Sequence, residues 1–197
     1  MALGSFGFWA NEDMTVEFAD LNLSRVLGEP NLPKTGKCYF GSPQSFGKLQ
    51  AETGAGVTNI QVFPQFNLPD IERNKAYDIG IKNDYHVNGF VYRLITAGTT
   101  AASSVAYPQA LGATVTDGTA VFRCVSAAHK TTEIKFAMSQ ADLETAIAGA
   151  ALSIGNTINA GSAIPIYYSI LDSVDNVFND SQAPQLCFTI TPCVETA

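Results

Sequence analysis

Apolar and polar residues alternate with a period of two in short runs along much of the chain, the pattern a half-buried β-strand requires. Thr15–Leu23, Val57–Pro64, Thr131–Met138, Ile164–Leu171 and Gln185–Val194 all read this way, and Cys38–Phe40, Ala151–Gly155 and Thr157–Ser162 add shorter pieces. Turn formers divide them, as in Gly28-Glu29-Pro30, Asn67-Leu68-Pro69-Asp70 and Asp172-Ser173-Val174-Asp175-Asn176. Short strands punctuated about every ten residues predict an all-β chain, an antiparallel β-sandwich. One run departs from the period. Ser139–Gly149 reads either as a loop or as a short helix capped by Ser139 and stopped by Gly149, so at most one short helix is expected near 140–148.

Turn signals crowd most densely between Lys75 and Ser126. Tyr77–Ile81 is followed by a turn at Asn83-Asp84, then by the run Val87–Ile95 with Asn88-Gly89 at its start, and Asp117-Gly118 precedes Thr119–Val125. Asn-Gly supplies the positive φ angles of a tight hairpin. Two strands carrying Phe90, Tyr92, Phe122 and Val125 make too small a core to stand alone. Residues 73–127 are therefore expected as a small β module inserted into a discontinuous sandwich built from 1–72 and 128–197. Residues 1–11 are rich in glycine and aromatics without a clean period, and fit an extended N-terminal arm. Phe6, Phe8 and Trp9 are its candidate partner-binding residues, because aromatic anchors dominate interface energies. For Trp9 a role inside its own domain is the competing expectation.

The chain has 197 residues with 46% hydrophobic and 15% charged side chains, a globular composition long enough for one or two domains. A net charge of −7 without a basic run argues against a nucleic-acid surface, which needs clustered Lys and Arg. Residues 73–127 carry five Lys and Arg against three Asp and Glu, whereas the remainder carries six against fifteen. The opening residues lack the basic and long apolar regions of a signal peptide, and no run of about 18 apolar residues spans a membrane. Folding in a cytosol is expected. Cys38, Cys124, Cys187 and Cys193 then read as buried thiols, although two disulfides are arithmetically allowed.

Little in the sequence points to catalysis. No Cys-x-x-Cys pair exists, and His86 and His129 lie far apart, so no metal is expected. Neither histidine has a recognisable nucleophile partner. No Gly-x-Ser-x-Gly elbow, phosphate-binding loop or dinucleotide fingerprint occurs, so neither a cofactor nor an enzymatic activity is expected.

A resemblance adds a function class. Asn88–Thr100, then Tyr107-Pro108, Gly112–Thr119 and Val121–Val125, resemble a module that recurs in virion structural proteins of tailed bacteriophages and is similar to small carbohydrate-binding modules. Ile134–Leu143, Gly149–Gly161 and Ile164–Tyr167 also resemble segments of phage β-sandwich domains. The resemblance implies a virion protein made in the host cytoplasm. The first expectation is a capsid decoration or cement protein that binds the major capsid protein or other virion proteins on the head, as a trimer or hexamer. A fibre or tail-tip component binding host-surface glycan through Tyr85, Tyr92, Tyr107 and Phe122 is the alternative, and a tail-tube or connector subunit is the third. Tyr107 and Phe122 stand where the family often has tryptophan. The chain has neither coiled-coil heptads nor a long repeat, which disfavours a whole fibre.

Overall fold

The computed structural model describes residues 5–18, 31–80, 83–172 and 185–196. The fold is all-β with several antiparallel sheets. It divides into two compact units, one of residues 1–65, 131–172 and 187–197, the other of residues 66–130 and 173–186. The first four strands are β1 (Gly7–Trp9), β2 (Lys34–Gly41), β3 (Lys48–Ala51) and β4 (Ile60–Phe66). The second unit then contributes β5 (Ala76–Tyr77), β6 (Asp84–Val87), β7 (Phe90–Thr96), β8 (Gly98–Thr99), β9 (Thr114–Asp117) and β10 (Ala120–Ala127). The chain closes with β11 (Ile134–Ala137), β12 (Leu152–Gly155), β13 (Thr157–Asn159), β14 (Ala163–Ile170), β15 (Leu186–Ile190) and β16 (Cys193–Thr196).

In the first unit the main sheet has the order β1-β2-β14-β11. Its ladder aligns Phe8 with Phe40, Ile166 with Cys38 and Tyr168 with Phe136, so alternation puts these side chains on one face. Phe40, Cys38 and Ile166 are fully buried there. Phe188 of β15 packs edge-on against Phe8 and Phe136, at ring-centroid distances of 6.1 and 4.8 Å, and stacks on Phe18 at 5.6 Å. Two smaller sheets, β12-β4-β15 and β13-β3-β16, share two crossing chains. One passes from β12 to β13 at Gly155, where φ is 115°; the other passes from β15 to β16 at Thr191-Pro192. Proline has no N–H for a ladder, so the single strand expected over 185–194 becomes two, each in a different sheet.

The extended arm expected at the N-terminus is, over the described residues, part of this unit. β1 pairs with β2 in register Gly7–Gly41, Phe8–Phe40 and Trp9–Tyr39; on its other side the Phe18 N–H donates to Phe8 O and the Ala10 N–H to Val16 O, flanking an isolated bridge of Trp9 with Glu17. The strand expected over Thr15–Leu23 is described only to Phe18. Near 140–148 the protein forms a single 3₁₀ turn at Ala141–Leu143. Ser139 Oγ accepts the Asp142 N–H at 3.3 Å at the start of this turn, but the turn ends at Leu143 with Glu144 following it, and Gly149, with φ 78°, instead donates to Ile134 O of β11 at 2.7 Å.

The second unit is built on the sheet β6-β7-β10-β9. Asn88 and Gly89 have φ of 50° and 80° and join β6 to β7 in a two-residue turn of type I′. Asn83-Asp84, expected as a turn, instead leads into β6. Gly118, φ 64°, opens the two-residue loop between β9 and β10. One face of the sheet buries Tyr92, Leu94, Phe122 and Cys124 with Ile71 and Tyr77; the other buries Val91 and Val125 with Leu68 and Ala128. Alternation makes both faces apolar, since Val91 and Val125 point away from Tyr92 and Cys124. Between Cys124 and Ser126 the β10 strand carries one extra residue, so that Val125 and Ser126 together oppose Val91. Because Leu68 and Ile71 belong to these clusters, the unit begins earlier than the expected boundary at residue 73.

Candidate functional site

Two places gather the residues singled out by sequence. In the second unit, the four rings read as candidate glycan-stacking residues converge on one cluster. Tyr92 and Tyr107 meet edge to face at 4.9 Å, Tyr85 and Phe122 at 5.9 Å, and Tyr77 touches both Tyr85 and Phe122. Convergence here means burial. Tyr92 is 1% exposed and Phe122 0%, so neither can offer a face to a sugar. Tyr85 and Tyr107 are half-buried and packed against the same cluster.

Two hydroxyl groups of these rings are also committed. Tyr92 Oη donates to Pro108 O at 3.0 Å, and Tyr107 Oη donates to Asp117 Oδ2 at 2.7 Å. Asp117 is the centre of the polar arrangement. Its side chain is 0% exposed, and it accepts Arg73 Nη1 at 2.5 Å and the Ala101 N–H at 2.8 Å as well as the tyrosine. Burial pushes this carboxyl up, but the hydrogen bonds from Tyr107, Ala101 and Arg73 and the guanidinium charge outweigh it, and it titrates below the ordinary carboxylate range. The Tyr107 hydroxyl is driven upward by burial and by its acceptor, so it remains a donor. Close by, Thr100 Oγ1 donates to Glu72 O at 2.7 Å and accepts the Lys75 N–H at 3.1 Å. The segment 72–75 is thus laced to the loop 99–101.

On the opposite face of β6 and β7, Arg93 grips Asp84 through two hydrogen bonds, Nε to Oδ1 at 2.7 Å and Nη2 to Oδ2 at 3.0 Å. The fork geometry is the strong form of this pair. Beside it His86 Nδ1 lies 2.7 Å from Asp70 Oδ1, and the ring meets Phe66 at 4.8 Å. Sequence reasoning weighed His86 for catalysis and did not foresee Asp70 as its neighbour.

The second place is a shallow cleft of about 500 Å³ in the first unit, lined by Phe8, Trp9, Glu17, Phe18, Pro43 and Gln44 among others. Phe6, Phe8 and Trp9 meet here, though not as free anchors. Phe6 is 6% exposed and stacked on Phe40 at 6.5 Å, Phe8 contacts Phe40 at 5.1 Å, and Trp9 Nε1 donates to Gly41 O at 3.0 Å. Their first role is to hold the edge strand to its own sheet. Phe8 and Trp9 are half-buried in this arrangement.

The four cysteines carry no disulfide, and Cys38, Cys124 and Cys193 are buried. Burial pushes the Cys38 thiol up to about 12, which leaves it protonated and unreactive at neutral pH. Among the described residues no group of three or more His, Cys, Asp and Glu is placed to hold a metal ion, and no helix is long and apolar enough to cross a membrane. Comparison with protein-family models, with curated proteins and with solved structures finds no match.

Proposed function

We propose that the chain is a non-catalytic structural protein of a tailed-phage virion, a decoration or cement protein seated on the outer surface of the head. The likeness of segments between Asn88 and Tyr167 to virion modules supports this reading. One observation carries it: Asp117, Asp84, His86, Tyr92 and Phe122, among the described residues of 66–130, are spent on holding the unit together. Asp117 is bound to three donors, Asp84 to a forked arginine, His86 to Asp70, and the rings Tyr92 and Phe122 are sealed inside. Such a unit is suited to being mounted and displayed. The burial of those two rings takes support from the glycan-binding alternative. The proposed partner is the major capsid protein or another virion protein, and closed symmetry at a capsid axis favours a trimer or hexamer.

Immunogold labelling and cryo-EM of particles of the encoding phage, with an antibody raised against this chain, test the proposal. Regular label over the head surface is expected. Label confined to the tail, or absence of the chain from purified particles, overturns it.

A further inference from the structure

Asn-Gly is the dipeptide whose side-chain amide is most readily lost from a protein. The glycine nitrogen attacks Asn Cγ, a new C–N bond closes a five-membered imide, and ammonia leaves with the proton that the backbone amide gives up. Water then opens the imide to aspartate or to isoaspartate. The chain contains this pair once, Asn88-Gly89, and both residues are exposed at the tip of the β6–β7 hairpin.

Two features of the folded hairpin oppose ring closure. With Asn88 and Gly89 in the left-handed region, at φ 50° and 80°, the type I′ turn sets the Gly89 nitrogen across the Cα–C bond from the Asn88 Cβ. The attacking atom faces away from its target. The Gly89 N–H is also donated to His86 Nε2 at 3.1 Å. That bond assigns the tautomer: Nε2 must be the unprotonated acceptor, so Nδ1 carries the hydrogen and donates it to Asp70 Oδ1 at 2.7 Å. The ring is steadied further by the edge contact with Phe66 at 4.8 Å and by the His86 N–H donated to Pro69 O at 2.9 Å. Asn88 makes no side-chain hydrogen bond among the described residues, so the restraint lies on the nitrogen and the backbone.

We propose that Asn88 is a latent modification site, deamidated to aspartate or isoaspartate, and that His86, oriented by Asp70, keeps it closed in the folded protein. Opening has a structural consequence. Isoaspartate adds a methylene to the main chain inside a two-residue turn, which cannot then keep the Val87–Phe90 register on which β6 and β7 pair.

The test is peptide-mapping mass spectrometry of the full chain during incubation in mildly alkaline buffer, following the gain of about one dalton and the isoaspartate retention shift at Asn88. Wild type, His86→Ala, Asp70→Ala and a synthetic peptide spanning Tyr85–Tyr92 are compared. The peptide is expected to react fastest and the wild type slowest. His86→Ala should accelerate the reaction in the folded chain roughly five- to tenfold, the factor that one ordinary hydrogen bond is worth. Asp70 is 81% exposed, so its removal leaves the fold intact, and a smaller acceleration of the same sign is expected. Should His86→Ala melt at the incubation temperature, Asp70→Ala decides. Wild-type deamidation at the peptide rate, or folded variants no faster than wild type, overturns the proposal.

Discussion

Replacing Asp117 by asparagine tests the physical reasoning most directly, because it changes charge and almost nothing in shape. The native carboxylate is wholly enclosed and accepts from Arg73, Tyr107 and Ala101. Asparagine can still take the Ala101 N–H, but its amide presents hydrogens where two donors converge, and Arg73 loses its counter-charge. Breaking a buried ion pair from one side costs about 3–5 kcal/mol. Arg73 is 29% exposed and can recover some water, so about 2–3 kcal/mol is the expected loss. In urea this lowers the unfolding midpoint by about 1 M. Circular dichroism measures it, and exchange of the amides of residues 99–101 and 114–122 locates it.

Acid supplies the second reading of the same variant. The native carboxyl titrates below its unfolded range, so it binds fewer protons when folded, and its stabilisation is complete above about pH 5. That contribution is lost as pH falls through the native pKa. The amide variant has nothing to lose there, so the gap between variant and wild type must shrink in acid. A difference under about 0.5 kcal/mol at neutral pH, or a gap that stays constant down to strong acid, refutes the account.

Two further substitutions test other parts of the fold. Phe8→Ala removes a half-buried ring that touches Phe40 and Phe188, so it should cost about 2 kcal/mol and speed proteolysis near the N-terminus; unchanged melting and cleavage would return Phe8 to the role of a free anchor. Gly98→Ala would drive a methyl into the Thr119 carbonyl carbon and to 2.5 Å from the Ala120 nitrogen, both backbone, and should lower stability by about 1–3 kcal/mol in thermal melts.

The sequence showed most where a local rule sets geometry. Alternation placed β4, β11, β12 and β14 to within a few residues, and Asn88-Gly89 carries its own register: counting outward, Val87 faces Phe90 and Asp84 faces Arg93, a pairing hidden because Asn83-Asp84 also reads as a turn. Arg73 and Asp117 are 44 residues apart, and no period connects them. Pro192 lacks the N–H of a ladder, yet the alternation over 185–194 runs straight through it, and only the sheets show that the chain changes neighbours there. The rings were misread for a related reason. Exposure is set by what folds over a residue, and Tyr92 and Phe122 are covered by Tyr107, Tyr77 and Ile71, from outside their own strands.

The two apolar faces of β10 tie the fates of its two clusters together. This single strand supplies Phe122 and Cys124 to one cluster and Val125 to the other, so neither cluster can come apart while its counterpart keeps that strand in place. Two cores, each too small to persist by itself, are thereby obliged to melt together. Residues 66–130 should lose their slowest-exchanging amides as one cooperative group, in a single step.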